Sequence, residues 1–293
     1  MKKIIIAIIT VLVLTGCSSA AANLSNQENV YTIGNSTTTS QDIYEKLKNN
    51  YGVSTVINYI IDYIWQNTCD TDVDLLADFE NTYTIYKMYY GDEFYTQMGY
   101  ASLDGLKKDY VSNEKLQEIY KSYINESYDD LVSEYTPNKL SLVDFADEKT
   151  AQEALDKLLA DENLTLADIA TEYESTTFKG KETVYTNATG LTRELNDYLS
   201  SSEIGIVKEV VSGIDGKFYI VEVINPDITN YEDAVKEAFI NVNEIIEDAI
   251  INYTTKYNLS YYDTDIVKAI KDNYPAFQDP DKITDNLNHN HSH

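Results

Sequence analysis

Apolar residues recur with a helical period through the first half of the chain. The clearest stripe consists of Val53, Val56, Ile57, Ile60, Ile61, Ile64 and Trp65, at steps of one, three or four residues. This spacing places the side chains on one face of a helix, and a face this apolar must pack against other helices. Weaker patterns predict helices over residues 41–51, 72–95, 103–110 and 113–135, after a short strand at 30–35. We therefore expect a helical domain over residues 30–136.

The pattern changes after Pro137, where short alternating runs replace the helical period. Residues 140–145, 183–185, 205–211 and 217–223 have the length and composition of strands. Amphipathic segments between them predict helices at 147–159, 166–173 and 191–199. This order of elements is typical of a small α+β domain around one sheet, which we expect to span residues 138–226.

Helical periodicity returns after Pro226, with a long helix expected up to Tyr257 and a second one from Asp265 to Tyr274. The apolar stripes of residues 229–274 need a partner surface, and the N-terminal helices are the obvious one. The predicted fold is therefore α+β but mainly helical, with an α+β domain inserted into one helical body. A polar tail of residues 275–293 follows.

The N-terminus has the three parts of a secretory signal. Two lysines precede an apolar run from Ile4 to Val13, which is too short to span a bilayer. Leu14-Thr15-Gly16-Cys17 resembles a bacterial lipobox, so residues 1–16 are predicted to be removed and Cys17 to carry lipid. Residues 17–29 then form a tether. An ordinary signal with an incidental cysteine is the alternative.

Acidic residues outnumber basic ones by 49 to 22, which disfavours binding to nucleic acid phosphates. With Cys17 lipidated, Cys69 has no partner for a disulfide, and we expect it to be a small buried hydrophobic residue. The three histidines are His289, His291 and His293, all in the tail. Mechanisms that need a histidine in the folded body are thereby excluded, and neither a cofactor nor a metal is predicted.

The order of segments resembles the PrsA-type extracytoplasmic foldase lipoproteins, which share a helical chaperone arrangement with SurA and trigger factor. Val30–Asn35 followed by Thr39–Tyr44 looks like the opening strand and capped first helix of that family. The matching helices are Val53–Trp65, Tyr90–Phe94, Leu103–Lys107, Tyr231–Lys236 and Lys256–Leu259. The resemblance implies a SurA/trigger-factor-like helical chaperone body.

The inserted domain resembles a parvulin-type prolyl isomerase. Asp147–Ala154, Leu166–Tyr173 and Gly216–Val223 look like its first helix, the helix before its active loop and its closing strand. Active parvulins carry two histidines, and this chain has Leu140 and Tyr219 at the corresponding positions. The Met and Phe of the proline pocket correspond to Leu191 and Leu195. The resemblance therefore implies a parvulin fold without the residues of its chemistry.

The predicted function is binding: a membrane-anchored foldase or chaperone, tethered through Cys17, that holds unfolded, newly exported polypeptides. The 26 tyrosines provide amphipathic contact area for such clients, although at helical spacing most are expected to pack in cores. One alternative is a weakly active prolyl isomerase, and another is a surface lipoprotein with a single protein partner. The sequence leaves open whether the chain forms a homodimer.

Replacement of Cys17 by serine tests the anchor. Without the thiol no diacylglycerol can be attached, so the C17S protein should leave the membrane fraction and run at a changed size. Mass spectrometry of the wild-type protein should find lipid on Cys17. A C17S protein that stays membrane-bound at unchanged size contradicts the prediction.

Overall fold

The computed structural model describes residues 28–175, 177–188, 191–197, 203–225 and 227–278. These residues form two compact units, one of 28–119 together with 247–278 and one of 120–246. The fold is α+β and mainly helical, as predicted. The predicted domain limits at 138 and 226 stay a prediction, as does the single helical body made of 30–136 and 229–274.

The elements of the described residues are numbered along the chain. The helices are α1 Ser40–Leu47, α2 Val53–Thr68, α3 Phe79–Tyr90, α4 Phe94–Gln97, α5 Leu103–Glu126, α6 Tyr128–Tyr135, α7 Glu148–Ala160, α8 Leu166–Glu172, α9 Arg193–Asn196, α10 Glu232–Phe239, α11 Asn243–Lys256 and α12 Thr264–Asn273. The strands are β1 Asn29–Ile33, β2 Ser36–Thr39, β3 Asn138–Phe145, β4 Thr183–Tyr185, β5 Gly205–Ile206, β6 Val211–Ser212 and β7 Phe218–Asn225.

The helix expected from the clearest apolar stripe is confirmed as α2. Ile57, Ile61 and Ile64 are its buried residues, and they follow each other at steps of four and three. The helix before it begins with a capping box in which Thr39 and Asp42 satisfy each other's backbone N–H groups. The segment Lys48–Gly52 joins the two as a turn of π-helix.

Three predicted helix boundaries are wrong. The helix expected over 72–95 begins only at Phe79, because Asp70 and Asp74 accept hydrogen bonds from backbone N–H groups two residues later and so stabilise turns. The helices expected at 103–110 and 113–135 are one helix, α5, followed by α6. The long helix expected after Pro226 is divided into α10 and α11.

Lys48, near the start of the first unit, forms ion pairs with two aspartates at the start of α12. Its side chain is 7% exposed, and Nζ lies 2.8 Å from the carboxylates of both Asp263 and Asp265. Burial alone would lower the pKa of this amine, but the hydrogen bonds and charges of the two carboxylates raise it above its usual value. Asp263 is also the N-cap of α12, since it accepts from the backbone N–H groups of Asp265 and Ile266.

The second unit is built on an antiparallel sheet in the order β4-β3-β7-β5, with β6 also paired to β7. The central pair joins Leu140 to Val223 and Phe145 to Phe218. Lys139 pairs with Asn225, so the chain enters and leaves this sheet at neighbouring positions. A segment that begins and ends at one place is compatible with the predicted insertion.

The two faces of the sheet pack into separate cores. Val143 and Phe145 of β3 and Ile220 of β7 lie in one cluster with apolar residues of α7 and α8. Leu140 and Leu142 lie in a second cluster on the opposite face, as the alternation of side chains along a strand requires.

A third cluster of the second unit joins helices outside 138–226 to β4. Ile124, Leu131 and Tyr135 pack there with Val235, Phe239, Val242 and Ile245, and the cluster also includes Val184. Residues 120–137 and 227–246 therefore contribute apolar contacts to the unit that contains the sheet.

Comparison of two fragments tests this contribution. The fragment 120–246 retains the third cluster. The fragment 138–226 lacks the buried helical residues that pack with Val184 in that cluster, so Val184 becomes exposed. We expect 120–246 to have the higher Tm, by roughly 4–8 °C or more, since about 1 kcal/mol shifts the Tm of a domain near 100 residues by that amount. Calorimetry measures both values. Equal melting temperatures would show that the flanking helices do not contribute to the thermal stability of the sheet domain.

Candidate functional site

The four positions that correspond to parvulin active-site residues lie in one apolar cluster. Leu140, Leu195 and Tyr219 are among its buried members, and Leu191 packs against it while partly exposed. The cluster also includes Leu142, Val211, Val221 and Val223. All four positions thus lie in or against one cluster, while their correspondence to parvulin site residues stays a prediction.

This cluster is a packed core in the described residues. Leu140 is 0%, Leu195 1% and Tyr219 2% exposed, so a proline ring would have to displace side chains to enter. Leu140 pairs with Val223. Val223 is four residues from Tyr219 along β7, which corresponds to about 13 Å along the strand. The two positions share a face but are not neighbours.

Tyr219 is held by specific contacts. Its hydroxyl donates to Oδ2 of Asp215 at 2.5 Å, and its ring meets that of Phe178 edge-on at 6.0 Å. Burial, followed by the hydrogen bond to Asp215, raises the pKa of the Tyr219 phenol above its usual value. Gly213 leaves room for the ring, because a Cβ there would lie 2.8 Å from it. The phenol therefore stays protonated and fixed.

Asp144 is the centre of a polar network beside the cluster. Its Oδ1 accepts from the hydroxyl of Ser175 at 2.6 Å and from the backbone N–H groups of Thr177 and Phe178 at 2.9 and 2.8 Å. Its Oδ2 accepts from Nζ of Lys217 at 2.7 Å. Burial would raise the pKa of this carboxyl, but the hydrogen bonds from Lys217, Ser175 and the two backbone groups hold it below its usual range.

The network stabilises the loop after α8 against the sheet. Sequence reasoning missed Asp144, Ser175 and Lys217, although one signal was present. An acidic residue inside the apolar strand Leu140–Phe145 must be buried and therefore needs partners. A hydrogen-bonded carboxylate that is ionised at neutral pH, with its pKa held below the usual range, is a poor proton donor or acceptor there, so its arrangement is structural.

Exposed large apolar side chains are concentrated in the other unit. Among the described residues, those of the 120–246 unit are Leu159, Ile204 and Ile214. Those of the unit of 28–119 and 247–278 are Val30, Tyr31, Ile33, Ile43, Leu47, Tyr51, Tyr59, Tyr63, Val73, Leu76, Ile85, Met88, Tyr89, Tyr90 and Tyr262. Side chains of this kind provide apolar contact area where they lie next to one another.

Cys17 and the three histidines lie outside the described residues, so their predicted roles have no structural counterpart here. Cys69 directly follows α2 and is partly buried. None of the helices in the described ranges is long and apolar enough to cross a membrane.

Residues 1–18 match the family model for the prokaryotic membrane lipoprotein lipid attachment site. Foldase protein PrsA 4 from Bacillus cereus is 25% identical over 238 residues, which cover 79% of this chain and 81% of that protein. The chain is similar to PrsA foldases. The predicted lipoprotein signal and the lipid-anchored, extracytoplasmic location are confirmed, while lipidation of Cys17 itself stays a prediction.

Two solved PrsA structures are also similar. The foldase PrsA from Streptococcus pneumoniae has 18% sequence identity to this chain and a TM-score of 0.48. The match covers 84% of this chain and 99% of the S. pneumoniae chain. The peptidylprolyl isomerase PrsA from Bacillus cereus has 22% sequence identity to this chain and a TM-score of 0.44. The match covers 85% of this chain and 100% of the B. cereus chain.

Replacement of Asp144 by asparagine tests the network. The amide N–H₂ of Asn would face the ammonium group of Lys217, so that two hydrogen-bond donors oppose each other. We expect the free energy of unfolding at pH 7 to fall by about 3 kcal/mol. This value is near the lower end for a broken buried ion pair, because Lys217 is 34% exposed to water. Because the native pKa is depressed, this stability is present above the unfolded value of about 3.9 and is lost as pH falls below it.

Denaturant unfolding from pH 7 to pH 2 measures this effect. The wild-type protein and D144N should converge in stability as the pH falls below about 4. The control E162Q removes an exposed carboxylate from the same unit and should change stability by less than about 0.5 kcal/mol. A constant difference between wild type and D144N at all pH values would contradict the ionised network.

Proposed function

We propose that this protein is a lipid-anchored extracytoplasmic chaperone that binds unfolded, newly exported polypeptides without isomerising their prolyl bonds. Similarity to foldases and the lipid attachment site support the general role. The observation that carries the proposal is the concentration of exposed apolar side chains in the unit of 28–119 and 247–278. A chaperone needs such a surface in order to hold apolar segments of a client.

The absence of isomerase chemistry is supported by the residues of the second unit. Rotation about a prolyl bond has a barrier of about 20 kcal/mol, and an enzyme must bind the twisted proline more tightly than the planar one. The positions that would line the proline pocket include Leu140, Leu195 and Tyr219, which are buried members of one packed apolar cluster. All three histidines of the chain lie in its last five residues.

A proline-peptide assay tests the catalytic half of the proposal. The full-length protein should leave the isomerisation rate equal to that in buffer. Y219F, which keeps the ring but removes the hydroxyl, and Y219A serve as paired variants. Isomerase activity that is present in the wild type and lost in Y219A would show that the domain is an active enzyme.

An aggregation assay with an unfolded client tests the binding half. Protection should increase with protein concentration and survive replacement of residues 138–226 by a short linker, because Lys139 and Asn225 are paired neighbours and their ends can be joined simply. Circular dichroism confirms that the shortened protein remains helical. A folded shortened protein that no longer protects would contradict the proposal, and lack of protection by the intact protein with every client would favour a single partner.

A further inference from the structure

An apolar groove lies within the first unit, between α2 and the end of α11. Val56, Ile60 and Ile64 line it from α2, and Leu259 lines it from the segment after α11. Its volume is about 270 Å³, below the range of roughly 300–1,000 Å³ of pockets that enclose a small molecule. The size suits a few side chains of a longer polymer better than a whole small ligand.

Tyrosines form the walls and rim of this groove, which we call the tyrosine groove. Tyr59, Tyr63, Tyr253, Tyr257 and Tyr261 all line it. Tyr59 and Tyr63 are 71% and 55% exposed, so their rings are accessible. Tyrosine offers a large, rigid and amphipathic contact area with little loss of conformational entropy, which is the property of polypeptide-binding surfaces.

The inner rings of the tyrosine groove are held in place. The hydroxyl of Tyr257 donates to the backbone carbonyl of Asn67 at 3.0 Å and lies 2.9 Å from the hydroxyl of Thr68. The ring of Tyr63 meets that of Tyr257 edge-on, with 5.4 Å between the ring centroids. The ring of Tyr253 stacks on that of Tyr257, with 6.5 Å between the centroids. Tyr253 is fully buried and supports the ring of Tyr257, which is partly exposed in the groove.

These rings already interact with one ammonium group. Nζ of Lys256 lies 5.3 Å from the ring centroid of Tyr253 and 5.9 Å from that of Tyr257, within the distance of a cation–π interaction. The outer rings of Tyr59 and Tyr63 offer the same chemistry to a cation that arrives from solution.

The charges of the chain favour a cationic ligand over an anionic one. The one charged residue of α2 is Asp62, whose carboxylate is paired with Nζ of Lys115 at 2.5 Å, so attraction of a cation depends on the net charge of the chain. Over the whole chain, acidic residues outnumber basic ones by 49 to 22, and such an excess attracts cations at long range. A basic side chain is therefore attracted to a surface whose apolar floor and aromatic rim can then hold it.

We propose that the tyrosine groove binds extended polypeptide segments in which a lysine or arginine stands between apolar residues. This selectivity rests on the proposed chaperone function and names the client chemistry. The apolar neighbours contact the partly exposed side chains of Val56 and Ile60. The basic side chain stacks on the rings of Tyr59 and Tyr63.

Fluorescence anisotropy with two matched peptides tests the proposal. One labelled ten-residue peptide carries two central arginines between leucines, and its twin carries citrulline, a neutral analogue of arginine, at both positions. The full-length protein is held in nanodiscs of neutral phosphatidylcholine, with empty nanodiscs as a blank. The wild-type protein should bind the arginine peptide roughly tenfold more tightly than its twin.

The double variant Y59A/Y63A should lose most of this preference. Y89A is the matched control, because Tyr89 is 73% exposed and lies on α3, outside the groove. It should keep the wild-type ratio of affinities, which separates the groove from the general acidity of the chain. Equal binding of both peptides by the wild type, or equal losses in Y59A/Y63A and Y89A, overturns the proposal.

Three further outcomes are distinguishable. If a variant lacking residues 279–293 binds both peptides far more tightly at the groove, the occupant is the chain's own tail and the proposal fails. If Y59A/Y63A leaves the arginine preference intact while the wild type still suppresses aggregation, the chaperone function stands and the groove proposal alone fails. Absence of both peptide binding and protection would refute the proposed function itself.

Discussion

The pairing of β3 with β7 is the interaction on which the second unit depends. Its residues alternate between two cores, with Val143 and Ile220 on one face and Leu142 and Val221 on the other. Loss of this pairing would uncover both clusters at once. Asp144 lies in the same strand, so its network also fixes the loop after α8 to the sheet.

The same pairing constrains what the domain can do. On the face that the parvulin resemblance assigns to the active site, the described residues include packed leucines, valines and Tyr219. A cavity of about 320 Å³ at the edge of this cluster is lined mainly by polar and acidic residues, namely Glu194, Asp197, Glu209 and Ser212. Parvulin chemistry needs an open apolar pocket beside polar groups. In this chain Ser175 and Lys217 are engaged in hydrogen bonds to Asp144, and binding by the other unit is the function that we propose.

Periodicity predicted the elements whose apolar stripes are long, such as α2 and α7, because a helix that buries one face must repeat its apolar residues. It failed at the Asp70–Asp78 turns and at the division of α10 from α11, where local hydrogen bonds compete with the helix. The family resemblance assigned Leu140, Leu195 and Tyr219 to one site, and that assignment stays a prediction. The Asp144 network could not be found from local pattern, since its partners are 31–73 residues away.

Hydrogen–deuterium exchange of the intact protein, with and without a saturating unfolded client, tests the central claim most directly. We expect the client to slow exchange in Val53–Thr68 and Asn243–Lys256, the two helices beside the tyrosine groove, and to leave Asn138–Phe145 and Phe218–Asn225 unchanged. Protection confined to the loops of residues 203–217, with none in the helical unit, would place the client on the parvulin-like domain and contradict the account.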